Sequence, residues 1–228
     1  MSLHDDLVLV SRDGTELAAF AATPEEPSDR GVVILPDVRG LYRFYEELAL
    51  RFAERGIVAV AIDYFGRTAG VAKRPGDWEY MEHVQQTTPD TIQADVAAAV
   101  DELRRRGARS IFTVGFCFGG RTSWLAAASH QGLAGAVGFY GNPQPLVALG
   151  FVRQIECPIL ALQAGADQNI TAELNAAFDE ALTTQRIEHA VVTYDGAPHS
   201  FFDRKQEDFQ DASDDAWRRT LEFVDRHA

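Results

Sequence analysis

The fold is decided by one stretch of the sequence, Ser110-Ile-Phe-Thr-Val-Gly-Phe-Cys-Phe-Gly-Gly120. It begins with an apolar run typical of a buried strand, which ends in a glycine-flanked cysteine, and a helical pattern follows directly. The stretch therefore predicts a strand, a tight turn and a helix. Glycines suit this turn because its backbone is strained and passes close to the preceding strand.

The turn has the form of an elbow that presents a reactive side chain. Gly115-Phe-Cys-Phe-Gly119 matches the pattern glycine, any residue, nucleophile, any residue, glycine, with cysteine where most such elbows carry serine. Two interpretations are open for Cys117 taken alone. It is either a nucleophile or an inert buried thiol in a glycine-rich turn, and the rest of the chain has to decide.

Strand and helix patterns alternate from residue 31 to the end of the chain. This alternation predicts an α/β fold with a mainly parallel central sheet, right-handed crossovers and helices on both faces. Besides the central strand, the predicted strands are Gly31–Leu35, Ile57–Ile62, Ala134–Tyr140, Pro158–Gln163 and Ala190–Tyr194. The predicted helices are Phe44–Arg55, Thr91–Arg106, Thr122–His130, Thr171–Leu182 and a closing helix from Asp208.

The remaining segments frame this alternating core. An Asp13-Gly14 pair between apolar runs, Leu7–Val10 and Glu16–Ala21, predicts an N-terminal antiparallel hairpin. The long segment Asp63–Pro89 is rich in glycine and proline, and we interpret it as a functional loop that forms part of a substrate rim. Without a linker or repeat, residues 1–228 are expected to form a single domain.

Composition limits the class of partner. The chain has 228 residues, 46% of them hydrophobic, and a formal net charge of -13. This charge disfavours nucleic acid and anionic membrane surfaces, which are bound through clusters of Lys and Arg. No apolar run is long enough to span a bilayer. We expect a small-molecule substrate and a monomer or small homo-oligomer.

Cysteine and histidine usage limits the chemistry. Only Cys117 and Cys157 occur, and no charged-then-apolar leader opens the sequence, so we expect a cytoplasmic protein without a disulfide framework. The six histidines are scattered, no two of them at ligand spacing, and there is no Cys-x-x-Cys pair. The sequence therefore predicts neither a metal nor a cofactor.

Three reactive groups, Cys117, Asp167 and His199, each come directly after a different predicted strand. Because loops at the carboxyl ends of parallel strands meet at one edge of the sheet, we expect these side chains to lie together. Their order, nucleophile then acid then histidine, is that of the α/β-hydrolase triad. Separately, Asp167 could be a turn former and His199 a surface residue; the combination favours a triad.

The triad interpretation assigns each group a role. A helix N-terminus favours the thiolate of Cys117, His199 takes its proton, and Asp167 orients the imidazole. The backbone N–H of Phe118 is expected to stabilise the oxyanion together with a second donor from the loop after Gly31–Leu35, for which Val38 is the candidate. Cys157, at a strand start before Pro158, is interpreted as a packing residue.

With these residues in view, nearly the whole chain resembles the dienelactone hydrolase family of α/β-hydrolases. The resemblance rests on Gly115-Phe-Cys-Phe-Gly-Gly120, on Phe139-Tyr-Gly141 and on Gly196-Ala-Pro-His-Ser-Phe201. In that family an acid after the first central strand contacts the resting thiol, which implies this role for Asp37. The family usually has glutamate there, and aspartate is one methylene shorter.

The family also binds a substrate carboxylate with arginines, since guanidinium groups hold carboxylates bidentately. This sequence does not clearly reproduce that pair. Arg39, Arg67, Arg74 and Arg204 are candidates, and Arg121 is a further possibility. Aromatic side chains are expected to wall the pocket or to belong to the core: Tyr42, Phe44, Phe65, Trp78, Phe116, Phe118, Phe201 and Phe202.

The sequence thus predicts a cofactor-independent hydrolase of small esters or lactones with a Cys-His-Asp triad. The same triad could act on aryl esters, thioesters or phosphotriesters. The alternative from another class is a thiol sensor in which Cys117 is oxidised without catalysis. A sensor does not require Asp167 and His199 at these positions, so hydrolysis is favoured.

Overall fold

Strands of this chain line up in one mainly parallel sheet. The computed structural model describes residues 3–75 and 77–228, so Met1, Ser2 and Gly76, the last in the predicted rim segment, lie outside it. The strands are β1 Leu3–Val10, β2 Glu16–Thr23, β3 Arg30–Leu35, β4 Val58–Ile62, β5 Ser110–Phe116, β6 Gly135–Phe139, β7 Ile159–Ala164 and β8 His189–Tyr194. They follow the order β1-β2-β4-β3-β5-β6-β7-β8.

Helices occupy most of the connections. The described α-helices are α1 Arg43–Glu54, α2 Gly66–Ala69, α3 Met81–Val84, α4 Pro89–Arg105, α5 Phe118–Ala127, α6 Gln144–Ala148, α7 Ala172–Thr184 and α8 Gln210–His227, with a 3-10 turn at Phe151–Gln154. The start of α4 shows why the sequence dictates its boundary. Thr88 and Thr91 form a reciprocal capping box, and Pro89 occupies the first turn, where its missing N–H costs nothing.

The chain divides into two compact units, with the boundary inside β5 between Thr113 and Val114. In the first unit β1 pairs antiparallel with β2 from Leu3↔Thr23 to Val10↔Glu16, β2 pairs antiparallel with β4, and β3 pairs parallel with β4. Helix α1 packs on β2 and β4, and α4 packs on β3 and β4. Residues 32–35 of β3 and all five residues of β4 are apolar and buried, as expected for strands covered on both faces.

In the second unit β6, β7 and β8 pair in parallel. Helix α5 packs on β6, while α8 contacts β6 and β7 and α7 contacts β8. The core here centres on Trp124, whose ring lies 4.9 Å from that of Phe178. Gly138 in β6 is required for this packing, because a Cβ there would collide with the Trp124 indole.

The predicted fold class is confirmed: the chain has an α/β fold with a mainly parallel sheet, helices and an N-terminal antiparallel hairpin. The single-domain assignment stays a prediction. The N-terminal strand is longer than predicted and begins at Leu3, because β2 continues to Thr23 and offers a partner along its whole length. None of the helices in residues 3–75 and 77–228 is both long and apolar enough to cross a membrane.

The segment Asp63–Pro89, predicted as a loop, includes the single-turn helices α2 and α3. The connection of residues 142–156 between β6 and β7 includes α6 and the 3-10 turn. Helices of four or five residues are too short to produce a hydrophobic period, so their sequence pattern cannot be distinguished from that of a loop. Helix α5 begins at Phe118, directly after the turn at Cys117, as the predicted succession of strand, turn and helix implies.

Candidate active site

Cys117 occupies a strained turn between β5 and α5. Its backbone has φ 56° and ψ -111°, a region that residues other than glycine rarely adopt. The turn is held by the Cys117 N–H, which donates to the Phe139 carbonyl at 3.0 Å, and by its carbonyl, which accepts from the Gly120 N–H at 3.1 Å. The thiol is partly exposed at the N-terminus of a ten-residue helix.

Glycines make this turn possible. A Cβ at Gly115 would collide with the carbonyl of Gly119, the second residue of the helix. A Cβ at Gly120 would lie 2.7 Å from the Phe139 oxygen and 3.1 Å from Gly141 Cα. The two positions without side chains therefore let the helix start directly against the strand that precedes it and the strand beside it.

Asp167 and His199, which the sequence places 32 residues apart, meet in the second unit. His199 Nδ1 lies 2.5 Å from Asp167 Oδ2. The Asp167 side chain is 1% exposed and that of His199 is 29% exposed. The second carboxylate oxygen accepts the backbone N–H of Asn169 at 2.9 Å and of Ile170 at 3.2 Å. The carboxylate is thus fixed on both sides.

This geometry selects one tautomer of the imidazole. With Nδ1–H donating to Asp167, Nε2 of His199 carries the lone pair, and it makes no hydrogen bond to any residue of the described chain. A histidine held in this way can accept a proton at Nε2.

The two loops that carry Asp167 and His199 are joined by main-chain hydrogen bonds. The Gly165 N–H donates to the Tyr194 carbonyl at 2.9 Å, and the Ala166 N–H donates to the Ala197 carbonyl at 2.9 Å. A Cβ at Gly165 would lie 2.7 Å from the Tyr194 oxygen, so only glycine permits this approach. The acid and the histidine are therefore positioned by backbone as well as by their own contact.

Tyr140 is a neighbour of the histidine that the sequence analysis did not single out as a site residue. It follows β6 directly, has φ 36°, and its ring centre lies 5.0 Å from that of His199. Its hydroxyl donates to Asp203 Oδ1 at 3.0 Å. Its position after a strand end is the signal that could have identified it, since the same rule found Cys117, Asp167 and His199.

The other predicted residues of the second unit differ in exposure. Phe201 is fully buried and packs against the rings of Tyr140 and Tyr194 at 5.4 and 5.0 Å, so it lies in the core. Arg204 is exposed and its guanidinium donates to the Ser200 hydroxyl at 2.8 Å. Ser200 itself has φ 65°, directly after His199.

Cys157 is buried, which distinguishes it from Cys117. It lies in the Trp124 core cluster and is 7% exposed. Burial, with a smaller contribution from the charge of Glu156, raises the pKa of the Cys157 thiol from its ordinary 9.0 to about 12. Its packing role agrees with this environment.

One thiol per chain is expected to react rapidly with a disulfide reagent at a mildly alkaline pH of about 8. The raised pKa leaves Cys157 protonated, so it should react roughly 10³-fold more slowly than an ordinary cysteine, apart from the further protection of burial. Thiol titration of the native and the denatured chain measures this. Cys117→Ala should remove the fast phase and Cys157→Ala should keep it; two fast thiols in the native chain would contradict the expectation.

In the first unit, the residues after β3 form a loop, Pro36–Leu41, which we call the β3 loop. Asp37 is 1% exposed and holds Arg39 through both carboxylate oxygens, at 2.7 Å to Nη2 and 3.1 to 3.2 Å to Nε. Burial opposes the charge of Arg39, but Asp37 outweighs it and raises the pKa of the guanidinium above its usual value. The Arg39 guanidinium also lies over the ring of Tyr42, 4.3 Å from its centre, and contacts the Tyr42 hydroxyl.

Val38 differs from its neighbours in the β3 loop. Among the backbone N–H groups of residues 37–41, the Val38 N–H alone makes no hydrogen bond within the described residues, although Val38 is partly buried. The others are bonded as follows: Asp37 to the Tyr45 hydroxyl, Arg39 to Asp37 Oδ1, Gly40 to the Asp37 carbonyl and Leu41 to Asp63 Oδ1. An available N–H in an otherwise bonded loop is what an anion or oxyanion site requires.

Arg67 and Arg74 have contacts within the first unit that give them a structural role. Arg67 binds both oxygens of the buried Asp95, at 2.7 and 2.9 Å, and also contacts Asp13. Arg74 donates to the buried Asp63 at 2.7 Å and to two backbone carbonyls. Because carboxylates of the protein already bind both guanidinium groups, these two arginines hold the first unit together.

The first unit also has a cavity of about 220 Å³ between the N-terminal hairpin and the segment around Lys73. Lys73 Nζ bridges Asp6 and Glu46 beside it, at 3.0 Å from each. None of Cys117, Asp167 and His199 lines this cavity. It therefore supports no step of the predicted chemistry.

The sequence profile of the dienelactone hydrolase family matches residues 17–228. A Saccharolobus solfataricus protein named as a carboxymethylenebutenolidase is 28% identical over 256 residues, covering 96% of this chain and 97% of the relative.

Solved structures show the same fold. A dienelactone hydrolase structure from Klebsiella pneumoniae has a TM-score of 0.87 at 21% identity, and 98% of each chain is covered. A dienelactone hydrolase-like promiscuous phosphotriesterase from metagenomic libraries has a TM-score of 0.84 at 22% identity, again with 98% of each chain covered.

Proposed function

Because the chain belongs to the dienelactone hydrolase family, we propose that it is a cofactor-independent hydrolase of small esters or lactones with Cys117 as its nucleophile. Family membership supports a hydrolase, and the proposal adds the triad. The observation that carries it is the hydrogen bond of 2.5 Å between Asp167 and His199, which leaves Nε2 of the histidine as a proton acceptor. The strained turn at Cys117, at a helix N-terminus, supports the nucleophile.

Acylation is the first half of the proposed reaction. His199 Nε2 takes the proton of the Cys117 thiol, and the thiolate attacks the carbonyl carbon of the substrate. The carbonyl oxygen becomes an oxyanion, which accepts hydrogen bonds from the backbone N–H groups of Phe118 and Val38. When the tetrahedral intermediate collapses, the C–O bond to the leaving group breaks and the imidazolium protonates the departing alkoxide. The product is a thioester on Cys117.

Hydrolysis of this thioester is the second half. His199 accepts a proton from water, and the resulting hydroxide attacks the thioester carbonyl through a second oxyanion. The C–S bond breaks, the acid is released, and the thiol is restored with the proton from His199. Asp167 remains ionised throughout and stabilises the imidazolium in both halves. In a lactone the leaving alkoxide stays attached to the acyl group, so a single hydroxy acid is released.

Asp37 is the acid proposed to contact the resting thiol of Cys117. Its carboxylate is held by Arg39, so any role toward the resting thiol requires that Asp37 exchange one or both of these contacts. Arg204 is retained as the candidate for a substrate carboxylate, because no carboxylate of the described chain contacts its guanidinium and it follows the histidine in the same loop. Arg39 binds Asp37, and the Tyr42 hydroxyl contacts Arg39.

The name of the Saccharolobus relative refers to a butenolide, an unsaturated lactone, which supports a lactone as the substrate class. The same triad can act on other activated esters, including aryl esters, thioesters and phosphotriesters. The phosphotriesterase neighbour supports the last of these only through a shared fold, since its identity is 22%. A panel of these four substrate types ranks them by kcat/KM.

The covalent intermediate provides the test. We expect a burst of p-nitrophenol from p-nitrophenyl acetate, equal to one product per active chain, followed by a slower steady state. Acid quenching during the burst, then proteolysis and mass spectrometry, should place one acetyl group on the peptide that contains Cys117. Acetylation of Cys157 or of a lysine instead would contradict the proposal, and peroxide-sensitive oxidation of Cys117 without turnover would favour a thiol sensor.

A further inference from the structure

We propose that Trp78 is a positioning residue for the oxyanion donor of Val38. The inference rests on the proposed function, because it assumes that the Val38 N–H binds the oxyanion. Its starting point is one hydrogen bond: the indole N–H of Trp78 donates to the Arg39 carbonyl at 2.9 Å, across 39 positions of sequence. The peptide that carries this carbonyl is the second one after the peptide that carries the Val38 N–H.

The intervening peptide is also fixed. Asp37 Oδ1 accepts the Arg39 N–H at 2.9 Å, which sets the orientation of the peptide between Val38 and Arg39. Trp78 sets the next peptide through its carbonyl. Because the two peptides that follow Val38 are held, the peptide that carries the Val38 N–H is restrained on its C-terminal side. The N-terminal side is limited by the Asp37 N–H, which donates to the Tyr45 hydroxyl at 2.9 Å.

Trp78 is itself held by three side chains of the first unit. The Arg74 guanidinium lies over the indole at 4.9 Å, His83 stacks on it at 5.0 Å with an interplanar angle of 30°, and the Phe65 ring meets it edge-on at 5.2 Å. These contacts fix the plane of the indole and therefore the direction of its N–H.

Arg74 links this cluster to the end of the β3 loop. Arg74 binds Asp63 Oδ2 at 2.7 Å, and the other oxygen of Asp63 accepts the Leu41 N–H at 3.0 Å. The segment that contains Trp78 therefore supports the β3 loop at two points, the Arg39 carbonyl and the Leu41 N–H. This segment therefore holds the β3 loop in shape, a role different from that of a substrate rim.

A specific effect on the rate follows from this arrangement. Losing the indole N–H leaves the Arg39 carbonyl to water, and the Val38 N–H gains freedom to point away from the oxyanion. Deleting an oxyanion donor outright costs about 10²–10³-fold in kcat, so loosening one should cost less, on the order of 10-fold. Because the oxyanion forms only after attack, KM should stay within about twofold.

The test uses the full chain with two substitutions that remove the N–H. Trp78→Phe removes the pyrrole ring, and replacement of Trp78 by β-(3-benzothienyl)alanine keeps the shape of the indole and removes only the N–H donor. The readouts are kcat and KM for p-nitrophenyl acetate, and Ki for an aryl trifluoromethyl ketone, which forms an oxyanion when a thiolate adds to it. Trp217→Phe, in α8 of the second unit, is the matched control.

We expect kcat to fall and Ki for the ketone to rise by the same factor, on the order of 10-fold, in both Trp78 variants, with KM and the control unchanged. Hydrogen exchange of the peptide spanning residues 36–42 should quicken in the same variants. Unchanged kcat and Ki would overturn the positioning role while leaving the hydrolase proposal intact. A rise in KM at constant kcat, or an activity loss explained by a lower folded fraction, would also overturn it. Absence of wild-type turnover would overturn both.

Discussion

Cys117→Ala is expected to lower kcat/KM for p-nitrophenyl acetate by about 10⁴-fold or more. Alanine has no group that can form the acyl intermediate, so only substrate binding and oxyanion stabilisation of direct water attack would remain. Both the burst phase and the steady-state turnover should be lost in this variant. Steady-state and stopped-flow assays of the purified variant measure both effects.

We expect the loss of activity to come from the missing thiol and not from misfolding, because alanine fits the turn. Alanine has the same Cβ as cysteine, so the backbone strain at φ 56° is unchanged, and the hydrogen bonds of the turn come from main-chain atoms. Circular dichroism and the unfolding midpoint should therefore match those of the wild type. Cys157→Ala is the control: it should lower stability through a small cavity but retain turnover. Full activity in Cys117→Ala would exclude the cysteine mechanism.

The order of elements could be predicted from sequence because each long element repeats one pattern. Continuous apolar runs such as Val58–Ile62 indicate buried strands. Gly115 and Gly120 indicate a tight turn, in which these two positions have no room for a side chain. The same rule, reactive groups directly after strand ends, predicts an acid and a histidine in neighbouring loops, and in the structure Asp167 and His199 are hydrogen bonded. These are local signals that the fold does not override.

The choice of ionic partners could not be predicted, because it depends on the local turn for Arg39 and on tertiary distance for Arg67 and Arg74. Arg39, Arg67 and Arg74 look alike in sequence, yet each is bonded to a different buried aspartate, at positions 37, 95 and 63. Asp95 lies on a helix where the hydrophobic period gives no sign of an arginine 28 residues away. The arginines that sequence reasoning assigned to a substrate therefore include residues that hold the first unit together.

The support of the β3 loop was equally hidden from sequence reasoning. The loop is short and its own residues predict little, whereas its anchors are the hydroxyl groups of Tyr45 and Tyr64 and the indole of Trp78, all of which lie outside the loop. Aromatic residues of this kind are expected in a core or a pocket wall, and only the position of the polar atom reveals a third role. Hydrogen bonds occupy the other backbone N–H groups of residues 37–41, and within the described residues the Val38 N–H is left available.

Asp167→Asn is expected to lower kcat by about 10³–10⁴-fold near neutral pH. The amide oxygen can still accept the backbone N–H groups of Asn169 and Ile170, which directs the amide NH₂ toward His199. Nδ1 of His199 must then accept a hydrogen bond, so the proton moves to Nε2 and the imidazole can no longer take a proton from Cys117. Burst amplitude and kcat as functions of pH measure the effect.

The chain supplies a matched control for this substitution in a second histidine–aspartate pair. His189 Nε2 lies 3.2 Å from Asp179 Oδ1, and its Nδ1 contacts the Ile187 carbonyl at 2.7 Å. Asp179→Asn makes the same chemical change between α7 and β8 and should alter kcat by less than about twofold, because Asp179 is exposed and orients no reacting group. If both variants lost activity equally, a general effect on stability would explain the loss. If neither did, the tautomer of His199 would not be set by Asp167, and the proton transfer assigned to this histidine would have to be abandoned.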